Sequence, residues 1–290
     1  MKKFSIIIPA YNEEENIGKL IDAIKKCNFD CEIIVVNDGS TDKTEEMAKA
    51  HGATIVRHPY NLGNGASIRS GIEASNSEVL VFMDADMQHE PQDIPQLLMD
   101  IGEYDMVVGA RTKESYASGF RQIGNLILIK LAGYLTGKSI LDLTSGFRAV
   151  KRDVALKFKY LFPQRYSYTT TLTLAMFMDG YFIKYTPLRT IKKREGGISK
   201  IRPFRDGFRF INIIMRMVML FNPQKIFLPA SLIFLVTGLI MTIGDIRNKN
   251  IQESTILIII VGTFLFFFSF VADQIAHIQR QLSEIAHKKQ

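Results

Sequence analysis

The chain has 290 residues, enough for one α/β domain and a smaller appendage. Its average composition, 47% hydrophobic and 22% charged, conceals an uneven distribution, because the first two thirds resemble a soluble protein and the last third does not. The net charge of +7 suggests nucleic acid as a partner, but the basic residues concentrate at 184–225, and no nucleic-acid motif accompanies them. We therefore expect an anionic membrane surface and no nucleic acid, with an ordinary solvated face as the alternative.

Met1, Lys2 and Lys3 lead directly into a strand-like run, so we expect no secretory signal and a cytosolic catalytic part. Cys27 and Cys31 are the two cysteines. A C-x3-C pair without a matching His/Cys cluster is a poor zinc signal, and disulfides are rare in the cytosol. We expect two reduced structural thiols.

Short β-branched runs alternate with segments of helical spacing over the first 110 residues. The predicted strands are 4–8, 33–36, 53–57, 79–83 and 106–109, and the predicted helices are 16–27, 42–51, 66–74 and 91–101. This alternation predicts an α/β fold with a largely parallel sheet covered on both faces. Ligands of such sheets bind at the carboxyl ends of the strands.

Polar clusters follow four of these predicted strands, at 9–13, 37–40, 84–88 and 109–111. Neither G-x-G-x-x-G nor G-x4-G-K-[ST] is present, which disfavours a dinucleotide-binding fold and a P-loop. In the third cluster, Asp84 and Asp86 can face one pocket if the chain turns there. Such oxygen ligands suit Mg²⁺ or Mn²⁺ shared with substrate phosphates, although D-x-D alone is also common as a helix cap or a solvated turn.

The last third contains two uncharged apolar stretches. We predict membrane spans at 226–243 and 255–276, the second with its apolar run at 255–272, joined by a polar loop. A buried core helix is the alternative for each. By the positive-inside rule, both chain ends lie in the cytosol, including a tail at 277–290, and the protein is a multi-pass protein of the cell membrane.

A basic amphipathic helix is predicted at 203–222, just before the first span. Arginine alternates there with Phe, Ile and Met, a pattern typical of helices that lie in the headgroup layer. A core-facing helix of the soluble domain is the alternative. The apolar segment 120–135 is a second candidate for membrane contact.

Three motifs in the soluble part resemble the GT-A nucleotide-diphospho-sugar transferases of glycosyltransferase family 2. They are SIIIPAYNE at 5–13, EIIVVNDGST at 32–41 and DADMQ at 84–88. The resemblance covers roughly residues 3–200 and implies a GT-A catalytic domain at 1–202 with a mostly parallel sheet. It implies a nucleoside pocket lined by Pro9, Tyr11, Glu13, Val36 and Asp38. In that pocket Tyr11 would stack on the base and Asp38 would accept a hydrogen bond from base or ribose. It also implies a metal and diphosphate site made by Asp84, Asp86 and Gln88.

Further motifs are similar to those of the dolichyl- and polyprenyl-phosphate sugar synthases. They are GAR at 109–111, Arg121 with Asn125, DLTSGFR at 142–148, and R-x2-G-x-S-K at 194–200. This similarity implies that Arg111, Arg121 and Asn125 bind the acceptor phosphate, and that Arg194 and Lys200 close over the donor diphosphate. Ser145 is the implied substrate-binding residue of the third motif.

Two departures from the related patterns bear on chemistry. The turn 62–65 reads LGNG, with Asn64 where the related pattern has lysine. The segment 168–173 reads YTTTLT, where many family 2 enzymes carry a carboxylate that serves as base. A phosphate monoester, with a second pKa of about 6, is already ionised at neutral pH and needs no base. The second departure therefore favours a phosphate acceptor over a hydroxyl.

The sequence thus predicts transfer of one sugar from a UDP- or GDP-linked donor to a polyprenyl phosphate, undecaprenyl or dolichyl, by a single inverting displacement. Asp86, Arg111 and Arg121 are the predicted catalytic residues, and Mg²⁺ or Mn²⁺ is the predicted cofactor. The alternatives are a glycolipid or polysaccharide hydroxyl acceptor, or an inactive membrane scaffold. Two spans are compatible with a monomer or a homo-oligomer.

Overall fold

The computed structural model describes the backbone of residues 4–110, 120–164, 167–188 and 203–288, and side chains at 4–110, 128–164, 167–188 and 210–282. Its contacts divide the chain into two compact units, Met1–Ile213 and Ile214–Gln290. The first unit contains the sheet, and the second contains the apolar helices.

A seven-stranded sheet forms the centre of the first unit within the described residues. The strands are β1 (Phe4–Ala10), β2 (Cys31–Asn37), β3 (Thr54–Arg57), β4 (Val79–Phe82), β5 (Met106–Ala110), β6 (Arg148–Lys151) and β7 (Ile183–Pro187), in the order β3-β2-β1-β4-β6-β5-β7. All neighbouring pairs are parallel except those of β6, which runs antiparallel to β4 and β5. The predicted α/β fold with a mostly parallel sheet is confirmed.

Helices cover the sheet. They are α1 (Ile17–Lys26), α2 (Thr44–Ala50), α3 (Asn64–Ala74), α4 (Ile94–Met99), α5 (Phe120–Thr136), α6 (Arg152–Phe158) and α7 (Tyr168–Met178), with 3₁₀ turns at Pro91–Asp93 and Lys159–Leu161. In α1, residues 17, 20, 21 and 24 form one buried apolar face that packs in the core with β1. On α3, Gly71 lies so close to the sheet that a Cβ there would be 2.3 Å from Ile7 Cγ2.

The predicted strands and helices of the first 110 residues are all present, with shifted ends. The strand predicted at 4–8 continues to Ala10, and the helix predicted at 91–101 is a 3₁₀ turn followed by the short α4. The half-buried thiols Cys27 and Cys31 are both free. Burial, aided by the negative charge of Asp30, raises the pKa of Cys31 to about 11, which keeps this thiol protonated and unreactive at neutral pH.

The second unit contains a pair of long helices, α9 (Gln224–Arg247) and α10 (Glu253–Lys288). Their most apolar stretches have mean hydropathies of 2.4 and 2.6, yet only 11% and 22% of those residues are buried. A core helix of a soluble protein would be mostly buried. The two helices pack through glycines, since a Cβ at Gly238 would lie 2.5 Å from Ile259, and one at Gly262 would lie 2.9 Å from Leu235.

These helices extend beyond the predicted spans. The polar loop predicted between the two spans is shorter than expected, because α9 runs to Arg247. The Asp245 carboxylate, inside that helix, accepts the Gln252 N–H at 3.0 Å. The segment predicted as a tail, 277–290, is helical to Lys288, since no Gly or Pro lies between 277 and 288 to interrupt α10.

The predicted amphipathic helix is present as α8 (Pro203–Phe221). Its described side chains include a buried apolar face with the spacing i, i+3, i+4, i+7, made by residues 214, 217, 218 and 221. Ile211, Met215 and Met219 are exposed on the remaining surface together with Arg216. Both the headgroup-layer and the core-facing interpretations account for part of this pattern.

We expect Gly71→Val to lower the free energy of unfolding by about 2–4 kcal/mol, because the new side chain would overlap Ile7 under a rigid sheet. Ala74→Val is the matched control: the same residue enters the exposed side of the same helix and costs only its helix propensity, about 0.5 kcal/mol. Denaturant unfolding of both variants measures the difference. Equal losses would show that α3 does not approach the sheet this closely.

Candidate active site

Hydrogen bonds connect the loop that follows β1 with the loop that follows β2. Asn12 has a positive φ of 55°, its amide oxygen accepts the Thr41 N–H at 2.9 Å, and its own N–H donates to Ser40 at 3.0 Å. Beside it, Tyr11 is 41% exposed and Pro9 and Glu13 are half-buried, so these three predicted nucleoside contacts lie together at one sheet edge. The predicted contact Val36 is fully buried within β2.

Asp38 anchors a loop. Its buried carboxylate accepts the backbone N–H groups of Leu62 at 2.9 Å and Gly63 at 2.8 Å, and lies 2.7 Å from His58 Nδ1. The other nitrogen of His58 lies 2.9 Å from the hydroxyl of Ser70 in α3. The structure thus gives Asp38 a visible role in fixing the turn before α3, and its predicted hydrogen bond to base or ribose stays a prediction.

The acidic motif follows β4. Met87 has a positive φ of 59°, which turns the chain between Asp86 and Gln88, and the Gln88 N–H donates to Asp86 at 3.2 Å. Asp84 lies over Gly146, where a Cβ would be 2.3 Å from Asp84 Oδ2. A side chain at 146 would displace the Asp84 carboxylate, so the loop before β6 forms a wall of the acidic site.

The loop 142–148 is itself held by internal hydrogen bonds. Asp142 accepts the N–H and the hydroxyl of Thr144, at 2.8 and 2.9 Å, and the N–H of Ser145 at 3.2 Å. Ser145 is fully buried and donates to the Gly109 carbonyl at 2.6 Å. Substrate binding by Ser145 stays a prediction, since its described contact is with the β5 backbone.

Arg148 is fully buried at the start of β6, and sequence analysis did not assign it a role of its own. It donates to the Ser145 carbonyl, to the Thr169 carbonyl at 3.1 Å and to the Thr173 hydroxyl at 3.1 Å. Burial lowers the pKa of this guanidinium, opposed by nearby groups that include Tyr168 and Asp84. Because its donors are satisfied, the charge is held in place between the 142–148 loop and α7.

A cavity of about 130 Å³ opens between these elements. It is lined by Asn64, Asp84, Thr144, Gly146, Ser167, Tyr168 and Thr169. Tyr168 donates to the Gly146 carbonyl at 3.4 Å, and burial, followed by the negative charge of Asp84, raises its pKa, so the phenol is neutral. Six of these seven positions were absent from the predicted site, although Asn64 and the YTTT run had been singled out as departures.

Several predicted residues lie where side chains are not described. Arg111, Arg194 and Lys200 fall outside the described residues, and Arg121 and Asn125 lie on α5 before its described side chains begin. Their predicted contacts with phosphate groups stay predictions.

We expect Asp38→Ala to cost about 2–4 kcal/mol of stability, because it leaves two backbone N–H groups and a buried imidazole without their acceptor. Asp22→Ala is the matched control, since it breaks an exposed Asp–His pair of the same 2.7 Å length, to His51, and exposed pairs contribute at most about 1 kcal/mol. Thermal unfolding of the full chain compares them. If both variants lose equally little, Asp38 is not the anchor of this loop.

Comparison with known proteins matches two family models. The model for glycosyl transferase family 2 matches residues 5–158, and the model for the GtrB C-terminal hairpin matches residues 222–278. The hairpin match agrees with the two exposed apolar helices, and together they indicate a membrane protein.

Relatives and structures agree with these matches. An uncharacterized protein of Methanocaldococcus jannaschii is 31% identical over 77% of this chain and 92% of its own length. Two undecaprenyl-phosphate 4-deoxy-4-formamido-L-arabinose transferases, from Photorhabdus laumondii and Proteus mirabilis, are 32% and 30% identical to it. Each match covers 53% of this chain and 50% of the relative's length.

Among solved structures, glucosyl-3-phosphoglycerate synthase of Mycobacterium tuberculosis, in complex with Mn²⁺ and UDP-glucose, is 25% identical. It superposes with a TM-score of 0.60 over 74% of this chain and 79% of that one. The family model covers more than half of the chain, on a sheet with the predicted GT-A architecture. The chain belongs to glycosyl transferase family 2 and is a glycosyltransferase with a GtrB-type C-terminal hairpin.

Proposed function

We propose that this glycosyltransferase transfers one sugar from a UDP- or GDP-linked donor to the phosphate of a polyprenyl lipid at the cytoplasmic face of a membrane. The observation that carries the choice of acceptor is the first turn of α7. This turn lines the cavity beside Asp84 with Tyr168 and Thr169, and Ser167 precedes them. It contains no carboxylate. A hydroxyl acceptor requires a base, whereas a phosphate monoester is already an ionised nucleophile.

The acidic motif supports a divalent cation. Asp84, Asp86 and Gln88 offer two carboxylates and an amide at a turn, a donor set that fits Mg²⁺ or Mn²⁺ when substrate phosphates and water complete the shell. Among the described residues, no three His, Cys, Asp or Glu side chains form a metal site by themselves. The similar M. tuberculosis synthase is described with Mn²⁺ and UDP-glucose. When bound, the cation would neutralise the leaving diphosphate.

The residues of the chain then act by position and charge. Tyr11, Pro9 and Glu13 hold the nucleoside at the ends of β1 and β2. Attack of the lipid phosphate on the anomeric carbon displaces the nucleoside diphosphate in one step, which inverts the configuration. The neutral phenol of Tyr168 adds no competing negative charge beside Asp84.

The proposed arrangement in the membrane follows the hairpin. The catalytic domain is 1–202, the amphipathic segment 203–222 lies in the headgroup layer, and the spans lie at 226–243 and 255–276. Both termini, including the segment 277–290, face the cytosol, with the turn between α9 and α10 on the other side. The names of the undecaprenyl-phosphate relatives support the same class of acceptor.

The donor and acceptor are tested together by incubating the full chain in detergent with a panel of UDP- and GDP-sugars. One set receives undecaprenyl phosphate and the other receives undecaprenol, the matched lipid that has a hydroxyl in place of the phosphate. We expect mass spectrometry to detect a sugar only on the phosphate lipid. Transfer to undecaprenol alone would overturn the acceptor, and transfer to neither lipid would overturn the proposal.

We expect Asp86→Ala to lower turnover at least about 100-fold while the protein stays folded, because a charge that faces the leaving group is lost. Excess chelator should have the same effect on the wild type, and Mg²⁺ or Mn²⁺ should restore it. Glu103→Ala, which removes an exposed carboxylate in the loop before β5, serves as control. Full wild-type activity in chelator would refute the metal role.

For the acceptor phosphate, we expect Arg111→Ala and Arg121→Lys to reduce lipid-dependent turnover roughly ten- to a hundredfold, the equivalent of about 1.5–3 kcal/mol for a charge-assisted contact. Nucleotide affinity should stay unchanged, because lysine or alanine at these positions affects only the proposed phosphate contact. Arg194→Ala and Lys200→Ala should weaken nucleotide binding as well. The assignment is wrong if all four variants behave alike.

A further inference from the structure

Two large hydrophobic side chains are exposed between residues 4 and 98, and both lie at the carboxyl edge of the sheet. They are Tyr11, 41% exposed in the loop after β1, and Tyr60, 65% exposed in the loop after β3. Neither side chain makes a hydrogen bond or a ring contact with another described residue. A single exposed aromatic is ordinary on a protein surface, so the location of this pair is what distinguishes it.

The register of the sheet places the two tyrosines near each other. Ala10, Asn37 and Arg57 are paired residues on β1, β2 and β3, and neighbouring strands lie about 4.8 Å apart. Tyr11 directly follows the first of these residues, and Tyr60 lies three residues after the last. Because the three strands are parallel, both loops leave the sheet at the same edge, one on each side of the turn that follows β2.

The backbone of Tyr60 packs against that turn. Gly39 has a φ of +70°, and a Cβ there would lie 2.6 Å from the Tyr60 Cα and 2.5 Å from its carbonyl carbon. His58 and Leu62, two residues before and two residues after it, both bind the Asp38 carboxylate, at 2.7 and 2.9 Å. The loop is therefore already ordered around Tyr60, and an ordered residue loses less conformational freedom when a ligand binds.

An aromatic ring at this place has a use that the proposed nucleoside pocket leaves open. A nucleobase has two π faces, and the proposed contact with Tyr11 covers one of them. The second face is apolar and gains from burial against another ring. Tyr60, on the other side of the turn after β2, is the second exposed aromatic side chain at this edge.

We propose that Tyr60 is a further nucleotide-binding residue, which stacks on the face of the nucleobase opposite Tyr11. The inference rests on the proposed function for the location of the nucleoside. It adds the loop after β3 to a pocket that the sequence motifs assign to the loops after β1 and β2. Stacking uses the face of a base and not its hydrogen-bonding edge, so this contact serves a uracil or a guanine.

The test compares nucleoside diphosphates with inorganic pyrophosphate, which has the same two phosphates and no base. UDP, GDP and pyrophosphate are titrated separately into the full chain in detergent with Mn²⁺. We expect Tyr60→Ala to weaken the nucleotide that the wild type binds more tightly by about five- to a hundredfold, the loss of one stacked ring, and to leave pyrophosphate unchanged. Tyr60→Phe keeps the ring and should bind within about twofold of the wild type.

Tyr160→Ala is the matched control. Tyr160 is 50% exposed in the second 3₁₀ turn, next to Lys159, which pairs with Glu73 near the C-terminal end of α3 and thus away from the carboxyl edge. This variant should change none of the three affinities. Thermal unfolding checks that each variant is folded, and Tyr60→Leu, which keeps apolar bulk without a ring, replaces Tyr60→Ala if the latter is not.

Three outcomes overturn the inference alone. Tyr60→Ala could bind nucleotide as tightly as the wild type, it could weaken pyrophosphate by the same factor as nucleotide, or Tyr60→Phe could bind as weakly as Tyr60→Ala. The first shows that the ring makes no contact, the second that the change acts on the diphosphate, and the third that the ring face is not what binds. A wild type that binds neither UDP nor GDP refutes the proposed function as well.

Discussion

The antiparallel pairing of β4 with β6 is the contact on which the candidate site depends. It places Phe82 opposite Arg148, so the residues just after β4 and those just before β6 meet at the same edge of the sheet. Asp84 follows the end of β4 and Gly146 precedes the start of β6, and the absence of a side chain at Gly146 leaves room for the Asp84 carboxylate. A parallel β6 would deliver the 142–148 loop to the opposite edge.

Arg148 makes this close approach stable. A guanidinium withdrawn from water is costly unless its donors are satisfied, and here backbone carbonyls and a hydroxyl satisfy them. Those acceptors belong to the 142–148 loop and to α7, so the same hydrogen bonds that offset the burial of the charge also hold two walls of the cavity together. Asp38 stabilises a third wall of the cavity, the turn before α3, because its buried carboxylate accepts the N–H groups of Leu62 and Gly63.

The sequence predicted the first five strands because they are short β-branched runs, and it predicted the acidic motif as a metal site because the motifs at 5–13 and 32–41 accompany it. It did not predict β6, which contains Arg148 and Lys151, or β7, an edge strand that ends in Pro187. It predicted Asp38 as a ligand contact because the motif at 32–41 resembles that of the GT-A transferases. The partners that bind its carboxylate lie 20 to 25 residues away, and only the tertiary structure brings them together.

Two departures from the related sequence patterns, distant along the chain, lie on the same cavity. Asn64 replaces a cation at the start of α3, and Tyr168 with Thr169 occupies the segment where many related enzymes carry a carboxylate. The first change removes a positive charge and the second removes a negative charge. The net charge around Asp84 is therefore the same as in the related pattern. A lysine at 64 without a carboxylate in α7 would pair with Asp84 and compete with any cation there, whereas a carboxylate in α7 without the lysine would place two negative charges beside each other. The two changes therefore offset each other electrostatically, and among the seven residues that line the cavity Asp84 carries the one carboxylate.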